Sequence, residues 1–299
     1  MTERVDIFSD GRAVLYCGDC LDVIPTLGPV DLVFGSPPYE DARTYGIDFK
    51  KKGQAWVDWM VKVFGAAQNK CGGVVGMVVE GRTENFRWTA TPALLMADLH
   101  RAGFKLRKPP IYERDGIPGS GGPDWLKNRY EFVVCTSMGK LPWSDNTAMG
   151  SGCAYPVGGA MSCRTEDGRR RNATTGSRIA NGQKVQSRRK ADGSRPCDGM
   201  YTPPEKANPG NIIDCGAGGG NIGNPLAHEN EAPFPEKLAE FFIRSFCPPG
   251  GTVLDPFCGS STTLAVAMKW GRKAIGIDVR QSQIRLSDKR IRSEGGLFA

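Results

Sequence analysis

The sequence predicts an α/β fold, a largely parallel sheet covered by helices and interrupted by one large irregular insertion. Three observations carry this. Continuous apolar runs of strand length at residues 30–34 and 74–79 alternate with longer amphipathic stretches, as buried parallel strands joined by helices do. The C-terminal quarter repeats strand, helix, strand, helix. Between residues 141 and 225 periodicity disappears, and Gly, Asn, Ser, Thr and Arg dominate.

In the first half, residues 54–69 and 91–101 read as helices, the second with Leu94, Leu95, Asp98 and Leu99 at helical spacing and Gly103 as a C-terminal stop. Residues 130–136 read as another strand. Beyond the insertion, Pro235 stands at the favoured first position of a helix with Leu238, Phe241, Phe242 and Phe246 on one face, ending before Pro248 and Pro249. Residues 252–254 and 273–277 then read as strands and residues 261–270 and 280–292 as helices, with Gly271 closing the first. The handedness of such a unit makes its two strands parallel neighbours. One discontinuous domain, residues 1–140 with 226–299, is therefore expected around an insertion at 141–225.

The 299 residues are 39% hydrophobic with a mean hydropathy of -0.35, which fits a soluble chain with a proper core. The N-terminus lacks the basic start and apolar run of a signal peptide, and no apolar stretch is long enough to span a bilayer. Ten scattered cysteines in a chain of this length suit a reduced, cytoplasmic setting. The net charge is +7, and its location is informative. Arg164, Arg169, Arg170, Arg171, Arg178, Lys184, Arg188, Arg189, Lys190 and Arg195 face only Glu166, Asp167 and Asp192, while elsewhere 29 basic residues balance 29 acidic ones. The excess belongs to one stretch of the insertion.

Two segments could carry chemistry. In Asp31-Leu-Val-Phe-Gly-Ser36-Pro37-Pro38-Tyr39 a buried strand runs straight into a turn that two prolines stiffen. Ligand sites of open α/β sheets lie at such strand ends. A rigid turn offering a hydroxyl, carbonyls and an aromatic ring suits a flat heterocycle with an exocyclic amine. In Val253-Leu-Asp255-Pro-Phe257-Cys258-Gly259-Ser-Ser261-Thr262 a strand, a tight glycine turn and a helix start form a cradle for a polar ligand group. Asp278 closes the next strand, where dinucleotide-type folds hold a ribose. The glycines depart from the G-x-G-x-x-G fingerprint, which favours a smaller nucleoside cofactor over a pyrophosphate. Ile212-Ile-Asp214-Cys-Gly216-Ala-Gly218-Gly219-Gly220 looks similar, but no helix pattern follows it, and it reads as the glycine-rich end of the insertion.

Together these segments resemble the amino-group DNA methyltransferases of the β arrangement, in which the catalytic motif precedes the target-recognition region and the cofactor motif comes last. Ser36-Pro-Pro-Tyr39 resembles their catalytic motif, and Phe234-Pro235 their segment before the cofactor strand. Asp255-Pro-Phe-Cys-Gly-Ser-Ser-Thr-Thr is similar to their S-adenosyl-L-methionine (AdoMet) loop, with Ser260-Ser261 where the family more often has Ser-Gly. Tyr16-Cys-Gly18-Asp19-Cys20 and Asn128-Arg-Tyr-Glu131 resemble segments near the cofactor adenine and the target base.

The resemblance implies a Rossmann-like, circularly permuted methyltransferase fold and AdoMet as cofactor. It implies methyl transfer to the exocyclic amine of a base flipped out of double-stranded DNA. Ser36 Oγ and the Pro37 carbonyl would accept from the amine and make its nitrogen more nucleophilic, with Pro38 stiffening the turn and Tyr39 stacking on the base. Asp19 and Cys20 would lie at the adenine and Asp278 at the ribose. Phe257, Cys258, Gly259, Ser261 and Thr262 would hold the methionine end. Ser at the first motif position is associated mainly with cytosine N4, so N4 is preferred, with adenine N6 the alternative. The basic segment then becomes the grip on DNA phosphates. A DNA-binding protein without turnover and a methylase of RNA or protein are the competing readings.

Cys17-x-x-Cys20 lacks a second pair, Cys153, Cys163, Cys197 and Cys215 lack close spacing, and His100 and His228 are isolated, so no metal is expected. Cys258 reads as a packing residue. Relatives of this arrangement are often homodimers, but neither a dimer face nor a partner restriction nuclease is legible.

Overall fold

The computed structural model describes residues 2–8, 10–40, 49–114, 124–152, 206–216, 224–229 and 233–295. The chain divides into two compact units, residues 1–148 with 210–299, and residues 149–209. The larger unit thus takes in both ends of the expected insertion. The ten basic residues from Arg164 to Arg195 lie outside the described residues, as do Cys153, Cys163 and Cys197.

The elements of the larger unit are β1 (Glu3–Asp6), β2 (Ala13–Cys17), α1 (Cys20–Val23), β3 (Val30–Gly35), α2 (Gly53–Gln68), β4 (Cys71–Val79), β5 (Thr83–Glu84), β6 (Arg87–Trp88), α3 (Thr91–Arg101), β7 (Ile111–Glu113), β8 (Tyr130–Ser137), β9 (Ile212–Asp214), α4 (Glu236–Phe246), β10 (Thr252–Asp255), α5 (Thr262–Lys269), β11 (Lys273–Asp278) and α6 (Gln281–Gly295). Nine strands form one sheet in the order β1-β2-β11-β10-β3-β4-β8-β7-β9. From β2 to β4 neighbours run parallel, while β1 and β8 pair antiparallel at the flanks. The expected parallel pairing of the C-terminal unit is present, with Asp255 opposite Gly276. Ile212–Asp214, read as part of the glycine-rich end of the insertion for all its strand-like look, is the edge strand beside β7. Three residues are too short a run to show periodicity, so only the pairing partner reveals them.

Strand alternation divides the core into two layers. Leu32, Phe34, Val74 and Val253 point to the face covered by Leu238 and Phe242 of α4, Leu264 of α5 and Ile284 of α6. Val33, Val75, Met77 and Leu254 point to the face covered by Trp56, Met60 and Phe64 of α2 and Leu95 and Leu99 of α3. On α4 the fully buried side chains are Leu238, Ala239, Phe242 and Ile243. Phe241 and Phe246, expected on the inner face, pack only partly buried against this core. Pro235 is the N-cap with extended backbone, one position before the first helical residue where it was expected.

Topology fixes the site. From β3 the chain crosses to β4 on one side; from β10 it crosses to β11 on the other. The two strands are parallel neighbours, Val253 opposite Leu32 and Leu254 opposite Val33. The crevice beyond their C-terminal ends is the switch point where α/β sheets bind ligands. Among the described residues no helix is long and apolar enough to cross a membrane.

Close strand approach depends on particular glycines. A Cβ on Gly73, at the register shift between Val30 and Leu32, would run into the Asp31 carbonyl oxygen, a backbone atom that cannot swing aside. Gly73→Ala is expected to cost about 1–3 kcal/mol, read as a lower midpoint in urea unfolding followed by circular dichroism.

Candidate active site

The Ser36 turn leaves β3 and enters the crevice. Ser36 Oγ donates to the Val78 carbonyl oxygen of β4 at 3.3 Å and lies 3.5 Å from the Tyr39 hydroxyl. Trp56 Nε1 donates to the Pro38 carbonyl oxygen at 2.9 Å, pinning the turn to α2. Tyr39 donates its hydroxyl proton to Glu131 Oε2 at 2.7 Å, and Glu131 also pairs with Arg114 at 2.8 Å. Burial, with the Glu131 charge beside it, raises the Tyr39 pKa well above the usual phenol value. Tyr39 therefore remains a neutral donor. Burial also raises Glu80, at the end of β4, whose carboxylate accepts from Gly81 N and Trp88 Nε1.

The second loop leaves β10 beside the first. A Cβ on Gly35 would sit almost on Asp255 Oδ1, so the two strands end in contact because residue 35 has no side chain. Asp255 is fully buried, and burial drives its carboxyl up to about 7, against the Phe257 N–H that donates to it and favours the ionised form. Cys258 is buried, its thiol raised far above the usual value chiefly by desolvation, as befits a packing residue. Gly276 admits the loop, since a Cβ there would crowd Leu264, Leu15 and Cys258. Ser261 adopts φ 63, a left-handed conformation that suits glycine. That is the position at which the sequence departs from the family pattern.

Asp278 ends β11, and its carboxylate accepts from Gly259 N at 3.2 Å and from Arg280 N and Nε. Oδ2 takes only one of these bonds and can accept more. Cys17 lies opposite Asp278 in the β2–β11 register, and Gly18 N donates to the Asp278 carbonyl oxygen. This brings the loop bearing Asp19 next to Asp278. Asp19 is exposed and caps α1 through Leu21 N, while the Cys20 side chain is buried. Phe234 packs edge-on to Phe34 at 5.6 Å, and Phe34 stacks on Phe242 at 4.4 Å.

One hollow, open to solvent, is lined by Ser36, Pro233, Phe234, Phe257, Cys258, Ser260 and Thr262. Residues from both expected loops and from the segment before α4 thus share one space. Asp19, Cys20 and Asp278 stand at the adjoining strand ends rather than in its lining. Among the described residues no group of three or more His, Cys, Asp or Glu is placed to hold a metal. His100 is exposed on the last turn of α3.

Sequence reasoning missed the arginine that holds this arrangement. Arg290 of α6 is completely buried and spends its guanidinium on Ser260 O and Thr262 Oγ1, both at 3.0 Å, Glu236 at 2.7 Å and Glu294 at 3.1 Å. Asn224 donates to Glu294 at 2.7 Å and extends the network. The bonds tie the loop after β10, α4 and α6 together. In the sequence Arg290 is one of several charges on an amphipathic helix, and only the pairing distinguishes it.

A doubly wound sheet with a nucleoside-type loop and a Ser-Pro-Pro-Tyr turn at one switch point defines the class of Rossmann-like methyltransferases. A family model described as DNA methylase, of the N6/N4 type, matches residues 30–289, and the chain belongs to that family. Over 285 residues it is 28% identical to the orphan methyltransferase M.BamHII of Bacillus amyloliquefaciens, covering 92% of this chain and 91% of that protein. It is 25% identical over 292 residues to the DNA adenine methyltransferase YhdJ of Escherichia coli (strain K12), covering 95% and 84%. Among solved structures, the cytosine-N4-specific PvuII DNA methyltransferase matches with a TM-score of 0.60 at 19% identity, over 96% of this chain and 92% of that one.

Replacing Arg290 by Met keeps the volume but strands Glu236 and Glu294. Loss of about 3–5 kcal/mol is expected, measurable as a fall in the guanidinium midpoint.

Proposed function

We propose that the protein is a site-specific DNA methyltransferase that methylates the exocyclic amine of a base flipped out of the duplex, with N4 of cytosine as its preferred target. The observation that carries the reading is the shared hollow, where Ser36 faces the loop of Phe257, Cys258, Ser260 and Thr262. AdoMet, when bound, supplies an electrophilic methyl group, so the reaction is a direct displacement that depends on alignment.

The residues present fit that cofactor. Asp278 keeps acceptor capacity for ribose hydroxyls, and Asp19 stands beside it for the adenine amine. The buried Asp255 carboxylate, when ionised, favours a cationic ligand nearby. Phe257 and Phe234 contribute apolar surface to the hollow. On the substrate side, an exocyclic amine is a poor nucleophile because its lone pair is delocalised into the ring. Ser36 Oγ and the Pro37 carbonyl accept its N–H bonds and draw it towards a more tetrahedral nitrogen. Tyr39, held by Glu131, presents its ring to the extruded base.

The N4 preference rests on Ser36 at the first motif position and on the fold shared with a cytosine-N4-specific enzyme. Adenine N6 is the second reading, favoured by the likeness to an adenine methyltransferase. In this reading residues 141–225 form the target-recognition segment, and Arg164, Arg169, Arg170, Arg171, Arg178, Lys184, Arg188, Arg189 and Lys190 neutralise phosphates. The cytoplasm is the setting this reading implies.

Incubation with AdoMet and unmethylated genomic DNA, followed by digestion and mass spectrometry of nucleosides, is expected to yield N4-methylcytosine. N6-methyladenine would overturn the base preference, and no methylated nucleoside would overturn the activity. Replacing Arg169, Arg170 and Arg171 together by Ala is expected to weaken DNA binding and lower the slope of log K against log salt by up to about 3, without changing AdoMet affinity. Fluorescence anisotropy across a salt series checks it.

A further inference from the structure

The rim of the crevice carries an exposed feature that methyl transfer does not itself use. In the β5–β6 hairpin Thr83 lies opposite Trp88 and Glu84 opposite Arg87, leaving Asn85 and Phe86 as a two-residue turn. Both have positive φ, 50 and 61, the geometry of a tight hairpin turn. Asn tolerates that conformation; a bulky aromatic residue does so only at an energetic cost. Phe86 is also 84% exposed, the highest value among the large exposed hydrophobic residues. Neither backbone preference nor core packing accounts for phenylalanine at this position.

The base of the hairpin is rigid. Glu80 Oε1 accepts from Gly81 N at 2.7 Å and from Trp88 Nε1 at 3.0 Å. Gly81 is packed against the Trp88 indole so tightly that a Cβ would collide with it. Thr89 N donates to Arg82 O at 2.8 Å, and Arg82 N donates to Thr89 Oγ1 at 2.9 Å. The tip therefore projects from a fixed support. That support begins one residue beyond β4, whose Val78 carbonyl oxygen accepts from Ser36. The hairpin and the turn assigned to the target base grow from the same end of the sheet.

We propose that Phe86 is a wedge that enters the base stack of duplex DNA at the gap left by the extruded target, with Arg87 and Arg82 beside it for the phosphates. This rests on the DNA-methyltransferase reading but not on which base is methylated. Extruding a base breaks two stacking contacts, and an apolar side chain on a rigid stem can fill the gap and support the neighbouring bases. Because the ring already stands in solvent on a preformed turn, little ordering is needed on binding. Arg82 pairs with Glu84 at 3.6 Å and Glu84 lies opposite Arg87, so the tip is flanked by a mixed-charge hairpin whose two guanidinium groups are the ones that can meet phosphates.

The test compares wild type, Phe86→Gly and Phe86→Leu for tritium transfer from labelled AdoMet to unmethylated bacterial genomic DNA. AdoMet affinity and melting temperature are measured in parallel. Glycine relieves the strained φ, so Phe86→Gly is expected to melt no lower than wild type and to bind AdoMet equally. Its duplex methylation rate is expected to fall about tenfold or more. Leucine, another side chain used as a wedge, should retain the rate within about threefold. Duplex methylation by Phe86→Gly within about twofold of wild type would overturn the wedge. So would an equal loss in Phe86→Leu, or loss of AdoMet affinity in either variant. No transfer by the wild-type protein would remove the methyltransferase reading and the wedge with it.

Discussion

The contact between Gly35 and Asp255 is the constraint on which the site depends. Asp31 at the start of β3 accepts from Thr252 N, the first residue of β10, at 2.7 Å, so the two strands are anchored at one end. At the other end a missing Cβ lets the Asp255 carboxylate lie against Gly35. The loops that follow are therefore compelled to start side by side. Any side chain at residue 35 would either displace the carboxylate or part the strands, and Ser36 would lose its position opposite Phe257 and Thr262. A circularly permuted order of motifs is tolerated because adjacency in the sheet, not in the chain, assembles the crevice.

A second constraint follows from the loop's own strain. Ser261 in a left-handed conformation costs about 1–2 kcal/mol relative to glycine, so the turn would relax unless held. Arg290 holds it from beneath, bonding to Ser260 O on one side of Ser261 and to Thr262 Oγ1 on the other. A buried guanidinium stabilises only when its own charge is met, and Glu236 and Glu294 meet it. Glu236 opens α4, directly after the Phe234-Pro235 segment. The network that fixes the cofactor loop thus also fixes one wall of the hollow.

Much of this was legible in the sequence because it is local. Apolar runs located β3, β4, β10 and β11, and glycine and proline marked the loops at their ends. The same local character explains what was not legible. Ile212–Asp214 becomes a strand only because β7 offers it an edge. Glu131 lies 92 residues from the Tyr39 it supports, and Arg290 lies 54 from Glu236. No pattern in the chain reports pairings at such separations. The α4 helix shows a subtler limit. Phenylalanine spacing marked a face, but burial follows the direction of the sheet beneath, which favours Ala239 and Ile243 over Phe241. Phe86 was invisible for another reason, since one apolar residue in a short polar stretch has no periodicity and its meaning lies in its φ and exposure.

The sign of the crevice also explains why charge is distributed as it is along the chain. Glu80, Glu131, Asp255 and Asp278 gather at the strand ends against Arg114 and Arg280. Burial opposes ionisation of Asp255 and Glu80, and their charged forms gain from a cationic ligand nearby and lose by a phosphate. On the reading proposed above, phosphate contacts come from Arg82 and Arg87 on the hairpin and from the segment between Arg164 and Arg195, where the sequence concentrates its whole cationic excess. In that reading, keeping most of the grip apart from the chemistry lets acidic groups tune the site without weakening DNA affinity.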